Sequence, residues 1–226
     1  MRKPALIIVI AVSFVVAACG GSTSSTPTTP TTPTAPTTPT TPANRAPVIN
    51  SLNFAPTFGI AQLTLFSFNA SGSDPDGDAI TYAWDVAGNP FTGTNGTITF
   101  SGGGNGTARV TVTDSKGATA TDTRTFVVGG MTGTWRGTWS SWVFTSNLTQ
   151  NGTFLVGDYS DQLGPGRLDP AVANTIDANG NVRLRYKQAI FSDFTFTGTM
   201  DASGRRITGV VNGSGASNTP FTMTKQ

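Results

Sequence analysis

Residues 80–86 read Ile80-Thr81-Tyr82-Ala83-Trp84-Asp85-Val86, a seven-residue alternation of apolar and polar side chains. Successive side chains of a strand point to opposite faces, so Ile80, Tyr82, Trp84 and Val86 share one face. That pattern predicts a half-buried β-strand with Trp84 at the centre of a core. Working outward, similar alternation begins in 61–68, where Ala61 to Phe68 reads as a strand, and returns in Thr97 to Phe100, Ala108 to Thr113 and Thr121 to Val128. Clusters of Gly, Asp, Asn and Ser separate these runs at short spacing, as in a β-sandwich.

Composition points the same way. All twelve acidic residues are Asp; the chain has no Glu and no His, and Thr, Gly, Val and Asn outweigh the good helix formers. The fold class read from the sequence is therefore all-β, an immunoglobulin-like β-sandwich over about 45–129 followed by a small antiparallel up-and-down β-barrel of about eight strands over 131–226. Gly129-Gly130 is the expected hinge between them.

Several pieces of the first domain resemble the PKD family, an immunoglobulin-like sandwich common in exported bacterial proteins. They are Ala46-Pro47-Val48, Ser71-Gly72-Ser73-Asp74-Pro75-Asp76-Gly77-Asp78, Tyr82-Ala83-Trp84-Asp85 and Val110 to Gly117. One departure is that Val86-Ala87-Gly88-Asn89 follows Trp-Asp where the family carries Phe-Gly-Asp-Gly. Cadherin-like bacterial modules share the Asp-Pro-Asp-Gly-Asp element. Some modules of both kinds bind calcium through it, which makes Asp74, Asp76 and Asp78 candidate Ca²⁺ ligands, with Asp114 and Asn44 as further donors. Three carboxylates within five residues repel one another, and a hard cation offsets that. A solvated Asp-Gly turn needs no metal and accounts for the same residues.

In the second domain, Thr132 to Phe144 reads as one long strand carrying Trp135, Trp139 and Trp142, with Trp142 on the opposite face from the other two. Asn151-Gly152, Asp177-Ala178-Asn179-Gly180 and Asp201-Ala202-Ser203-Gly204 are turn signals between sequential strands. Such a meander closes when the first strand pairs with the last, which carries Phe221 and Met223. The expected core includes Trp135, Trp139, Phe154, Val156, Leu184, Tyr186, Phe194, Phe196, Ile207 and Phe221. The Gly-Thr-Trp segment and later Thr-Gly pairs resemble small lipocalin-like or avidin-like barrels. The three tryptophans are candidate ligand-binding residues, as a pocket lining or, for Trp142, a surface contact. They serve equally as core filler.

The N-terminus resembles a bacterial lipoprotein signal. Arg2 and Lys3 precede an apolar run from Ala5 to Val16, too short to span a bilayer, and Val16-Ala17-Ala18-Cys19-Gly20 matches the lipobox. The resemblance implies removal of residues 1–18 and a covalent lipid on Cys19, which anchors the exported protein to the membrane; Gly20 implies the outer membrane or cell surface. Residues 19–44 form a lipidated cysteine and a Thr/Pro linker that cannot bury a core. From Ser22 to Ala46 such a linker reaches at most about 80 Å in the polyproline II form.

The sequence excludes much chemistry. Cys19 is the one cysteine, so no internal disulfide forms. Without the signal's two cations, twelve basic residues balance twelve acidic ones, so nucleic-acid binding has no electrostatic footprint. Without His there is no Ser-His or Cys-His dyad and no imidazole metal site. The expectation is a non-enzymatic, lipid-anchored binding or adhesion module for glycans or proteins; the alternative is a carrier of small hydrophobic ligands in the barrel.

Overall fold

The computed structural model describes residues 41–188, 193–213 and 215–226. The expected signal peptide, lipidated Cys19 and linker up to residue 40 lie outside the described residues.

The first domain is a sandwich of two sheets. One contains β1 (Val48–Ala55), β3 (Phe66–Ser73) and β6 (Asn95–Ile98); the other contains β2 (Phe58–Ile60), β8 (Thr119–Gly129), β7 (Gly104–Asp114), β4 (Ile80–Val86) and β5 (Asn89–Thr92), in the order β2-β8-β7-β4-β5. Phe54, Phe66, Phe68, Trp84, Val110, Val112 and Phe126 fill the space between them. Trp84 stands at the centre of this core, as the alternation predicts: its ring meets Phe68 at 4.6 Å, and its indole N–H donates to the Gly93 carbonyl at 2.9 Å. The Ala61–Phe68 strand is corrected. Strand β2 ends at Ile60, Gln62 adopts a left-handed φ of 66°, and β3 begins only at Phe66.

The second domain is a closed antiparallel barrel. Its strands are β9 (Gly133–Trp139), β10 (Trp142–Asn151), β11 (Phe154–Asp161), β12 (Gly164–Leu168), β13 (Thr175–Ile176), β14 (Asn181–Gln188), β15 (Phe194–Met200), β16 (Arg206–Gly213) and β17 (Ala216–Lys225). Strands β12 and β13 occupy successive halves of one position between β11 and β14, so the wall has eight places. Closure occurs where expected: Trp135 pairs with Lys225 and Trp139 with Phe221. Among the described residues, closure leaves the barrel no long open edge for another chain to extend.

Three local readings change. Residues 132–144 are not one strand but a hairpin, turning at Ser140-Ser141 with Ser140 at φ 50°; Trp139 and Trp142 are direct cross-strand partners and lie on the same side. Asn151 pairs with Phe154, so the next turn is Gly152-Thr153, one residue later than the Asn-Gly signal indicates. Along β11 it is Leu155 and Tyr159 that point inward, while Phe154 and Val156 are 61% and 63% exposed and leave the predicted core. A strand with apolar residues on both faces, Phe-Leu-Val, gives no parity signal, and the partner strand decides.

Four phenylalanines lie over a glycine directly opposite on the neighbouring strand. The pairs are Phe68 with Gly96, Phe126 with Gly106, Phe144 with Gly137 and Phe221 with Gly209. A Cβ at any of these glycines would collide with the ring. The glycines therefore let aromatic rings lie flat across strands that bend, in both domains.

The junction is packed rather than hinged. Gly129 pairs with Ile60 at the end of β8, Ala61 N–H donates to the Gly129 carbonyl at 2.8 Å, and a side chain on Gly129 would run into the Met200 sulfur. Ile60, fully buried, belongs to the barrel's core, and Phe58 and Leu63 pack on it. The first domain thus plugs one end of the barrel.

Candidate functional site

The acidic loop and the plugged junction sit at opposite ends of the first domain. Strand β7 runs from Gly104, paired with Val128 beside the junction, to Asp114 at the acidic end. Ten residue steps at about 3.3 Å separate these ends by about 33 Å.

At the acidic end, Asp74 shapes the loop. Its Oδ1 accepts from Asp76 N–H at 2.8 Å and Asp78 N–H at 3.2 Å, while Gly77 turns at φ 79°. The last linker residues are fastened to it. Arg45 donates its backbone N–H to Asp76 Oδ2 at 2.7 Å and its Nε to Asp76 Oδ1 at 2.8 Å, and its guanidinium also reaches the Pro75 carbonyl. Asn44 Nδ2 donates to Asp114 Oδ2 at 2.8 Å, and Lys116 Nζ pairs with Asp78 at 2.8 Å. The Arg45 backbone and side-chain hydrogen bonds hold the Asp76 carboxyl below its usual range. The Asn44 hydrogen bond does the same for Asp114, and the Asp78 bond raises Lys116.

The structure brings Asp74, Asp76 and Asp78 together, with one oxygen of each within 4.8 Å of the others, and Asp74 Oδ2 is buried without a hydrogen-bond partner. Hard oxygen donors at this spacing suit Ca²⁺. Two of the three carboxylates already have cationic partners. Asn44 and Asp114 stand together as donor and acceptor, beside the cluster rather than in it.

The barrel places the three tryptophans differently. Trp135 is fully buried and donates its indole N–H to the Met131 carbonyl at 2.8 Å, so it is core. Trp139 and Trp142 stack at the far end from the plug, with centroids 6.0 Å apart and ring planes 18° apart, and Trp139 also meets Phe194 at 5.3 Å. Between plug and rim the interior is filled by Phe144, Tyr159, Tyr186 and Phe196, in mutual contact at 4.7 to 5.4 Å. Burial pushes both tyrosine hydroxyls far above the ordinary phenol range; beside Tyr159, Asp161 adds to the effect.

Sequence reasoning missed the polar residues of both barrel ends. At the plug, Gln150 Nε2 donates to the Ala61 carbonyl at 2.8 Å, and Gln62 Oε1 accepts from Gly152 N–H at 2.6 Å. At the rim, Gln188 Nε2 donates to Asp161 Oδ1 and to the Gly164 carbonyl, each at 3.2 Å. Inward parity on β10 and β14 was the available signal for Gln150 and Gln188. On the outer wall, Phe154 and Val156 border a groove of about 550 Å³ with Arg167, Pro170 and Val172.

Residues 44–128 match the family model described as the PKD domain. The first domain is a PKD domain. It is similar to the PKD1 domain of Vibrio anguillarum Epp, at 33% identity over 38% of this chain and 96% of that one, with a TM-score of 0.30. The PKD1 domain of the Vibrio cholerae metalloprotease PrtV matches at 27% identity over 37% and 98%, with a TM-score of 0.32. A structure described as one of the carbohydrate-binding modules of the β-sandwich superfamily matches at 15% identity over 82% and 93%, with a TM-score of 0.37. No curated protein matches the chain by sequence. The PKD match leaves the barrel outside it.

Proposed function

We propose that this chain is a lipid-anchored, non-catalytic display protein of the outer membrane or cell surface, in which the PKD domain is a spacer and the barrel binds a glycan or protein partner. The observation that carries this reading is the opposed placement of the two attachments. The linker is clamped through Asn44 and Arg45 at one end of the PKD domain, and the barrel is plugged onto the other. The rim around Trp139 and Trp142 then lies at the end of the barrel away from the clamp at Asn44 and Arg45.

The filled interior supports display over carriage. A carrier of small hydrophobic molecules needs a cavity of a few hundred Å³, whereas here aromatic rings occupy the barrel from Ile60 to Trp139. Catalysis lacks support as well. The fully buried titratable groups of the barrel, Tyr159 and Tyr186, are phenols pushed away from ionisation, and the buried carboxylate Asp169 lies against Arg185.

Calcium enters as a proposal about the PKD domain alone. Asp74, Asp76 and Asp78 would hold the ion, and the unpartnered Asp74 Oδ2 supports this. When bound, the cation neutralises the three carboxylates. Arg45 and Lys116 already do part of that work, so the turn also stands without metal.

The anchor is tested by Cys19→Ser with cell fractionation and mass spectrometry. Wild type should partition with membranes and carry lipid, and the variant should do neither. Equal membrane binding without lipid on either would overturn the anchor. Display is tested by screening the chain against glycan and surface-protein arrays; turnover of any bound partner would overturn the non-catalytic reading.

A further inference from the structure

We propose that the junction between the PKD domain and the barrel holds a small doubly charged oxyanion, of the phosphate or sulfate class, between the side chains of Lys225 and Arg205.

A pocket of about 170 Å³ opens where the two domains meet, between the glycine loop at Gly103 and the barrel turn at Ser203 to Arg205, with Lys225 of β17 beside them. Its walls are backbone in close approach. A Cβ on Gly103 would lie 2.9 Å from the Gly130 nitrogen, and one on Gly204 would lie 2.8 Å from the Gly129 Cα. Both domains therefore fix its shape.

Lys225 is partly buried here, and its present partners are neutral. Its Nζ donates to the Gly130 carbonyl at 2.8 Å and sits 5.9 Å from the centroid of the Trp135 ring. Arg205 donates through Nη2 to the Lys225 carbonyl at 3.3 Å. None of the twelve aspartates forms an ion pair with either cation, nor does the terminal carboxylate of Gln226 in the same pocket. The turn's own carboxylate, Asp201, is occupied by the N–H and hydroxyl of Ser203. Burial, and after it the Arg205 charge, hold the Lys225 amine below the ordinary lysine range. The barrel has eight basic residues against six aspartates, and of those eight only Arg185 is ion-paired. The other unpaired cations of the barrel are exposed and solvated, whereas Lys225 is drawn in from water. A charge taken out of water calls for an opposite charge. The chain offers none and sets a second positive charge beside it.

The pair selects its ligand. A phosphate group carries about −1.5 to −2 at pH 7, which balances two cations; a carboxylate or a chloride answers only one. Two donors of the ammonium and the fork of the guanidinium remain to meet its oxygens. Asn105, Ser203 and Arg205 form an exposed lip, so a phosphate ester can sit in the pocket with the rest of its molecule in solvent.

The experiment titrates the full chain in phosphate-free detergent buffer at pH 7 with potassium phosphate, by calorimetry, against potassium chloride at equal ionic strength. Phosphate should bind saturably and chloride should not match it. Arg205→Gln and Lys225→Met should each weaken binding at least tenfold, while Arg206→Gln, outside the pocket, should leave it unchanged. Melts without phosphate check that the variants fold; Arg205 is exposed, so its variant carries the test if Lys225→Met unfolds. Phosphate also stabilises proteins by exclusion from their surface, and that effect raises the melting temperature of every variant alike, whereas the part due to the site disappears in the two pocket variants. Glucose 6-phosphate separates the sources: binding as tight as that of phosphate assigns the site to an ester, and its exclusion assigns it to the free ion. Absence of saturable phosphate binding, binding that chloride matches, or binding that both pocket variants retain would overturn the site.

Discussion

Ile60 belongs to the PKD domain by sequence and to the barrel by packing, and its truncation measures how firmly the two are joined. The side chain is fully buried among barrel residues. Ile60→Ala deletes three carbons, worth about 2.4 kcal/mol at about 0.8 kcal/mol per methylene. The plug is held from several sides, by Gln150 on the Ala61 carbonyl and Gln62 on Gly152 N–H, so the site cannot collapse freely and a cavity cost adds to the transfer cost. The expected destabilisation is ~3 kcal/mol, which lowers the melting temperature of a chain this size by about 6–12 °C. Calorimetry and urea unfolding monitored by barrel tryptophan emission would read it. The reasoning also requires that the barrel transition shift, because the lost contacts are the barrel's. A cost below about 1 kcal/mol, or a shift confined to the PKD transition, would refute the packed junction and restore a hinge at Gly129-Gly130.

Four further outcomes follow. Trp135→Ala should cost about 3–5 kcal/mol, as loss of a buried aromatic does; retained stability would refute the filled barrel. Tyr159 and Tyr186 have hydroxyls raised above their ordinary value of 10.0 in the folded state, so the stability they contribute is present below pH 10 and is lost as pH rises beyond it. Alkaline melts should show this, and Tyr186→Phe should reduce the slope. Asp76 and Asp114 are depressed below 3.8, so the linker clamp persists above that pH and opens as pH falls through their folded values; amide exchange at Arg45 should rise there, and earlier in Arg45→Ala. Calcium at a hundredfold excess over its Kd should stabilise the PKD transition by about 2.7 kcal/mol, whereas identical melts in Ca²⁺ and chelator would leave only the turn.

What was legible in the sequence was whatever local chemistry fixes alone. Alternation around Trp84 set the sandwich core, and Asp-x-x-Gly turns set which barrel strands are neighbours, from which closure of β9 on β17 follows. What was not legible depends on a partner strand or a partner domain. Ser140-Ser141 turns without glycine or proline, so the first barrel hairpin read as one strand and Trp142 was assigned to the wrong face. Gly164-Pro165-Gly166 carries residues typical of turns yet sits in β12, pairing with Asp161, Ser160 and Tyr159. Gly129-Gly130 read as flexible because glycine is permissive, whereas here its small size admits Met200 and the plug. At the acidic loop the Asp spacing was plain, but nothing in the sequence indicated that Arg45 would answer Asp76.

The central claim is that the linker and the Trp139–Trp142 rim occupy opposite ends of one stiff body. Its most direct measurement places a single fluorophore at Ser115, beside the linker clamp, or at Ser140, in the rim hairpin, of the lipidated chain in vesicles, and measures energy transfer to an acceptor in the bilayer. The account predicts weaker transfer from Ser140 than from Ser115, because the PKD domain and the barrel both lie between the rim and the linker clamp at Asn44 and Arg45. Equal transfer, or stronger transfer from Ser140, would contradict it.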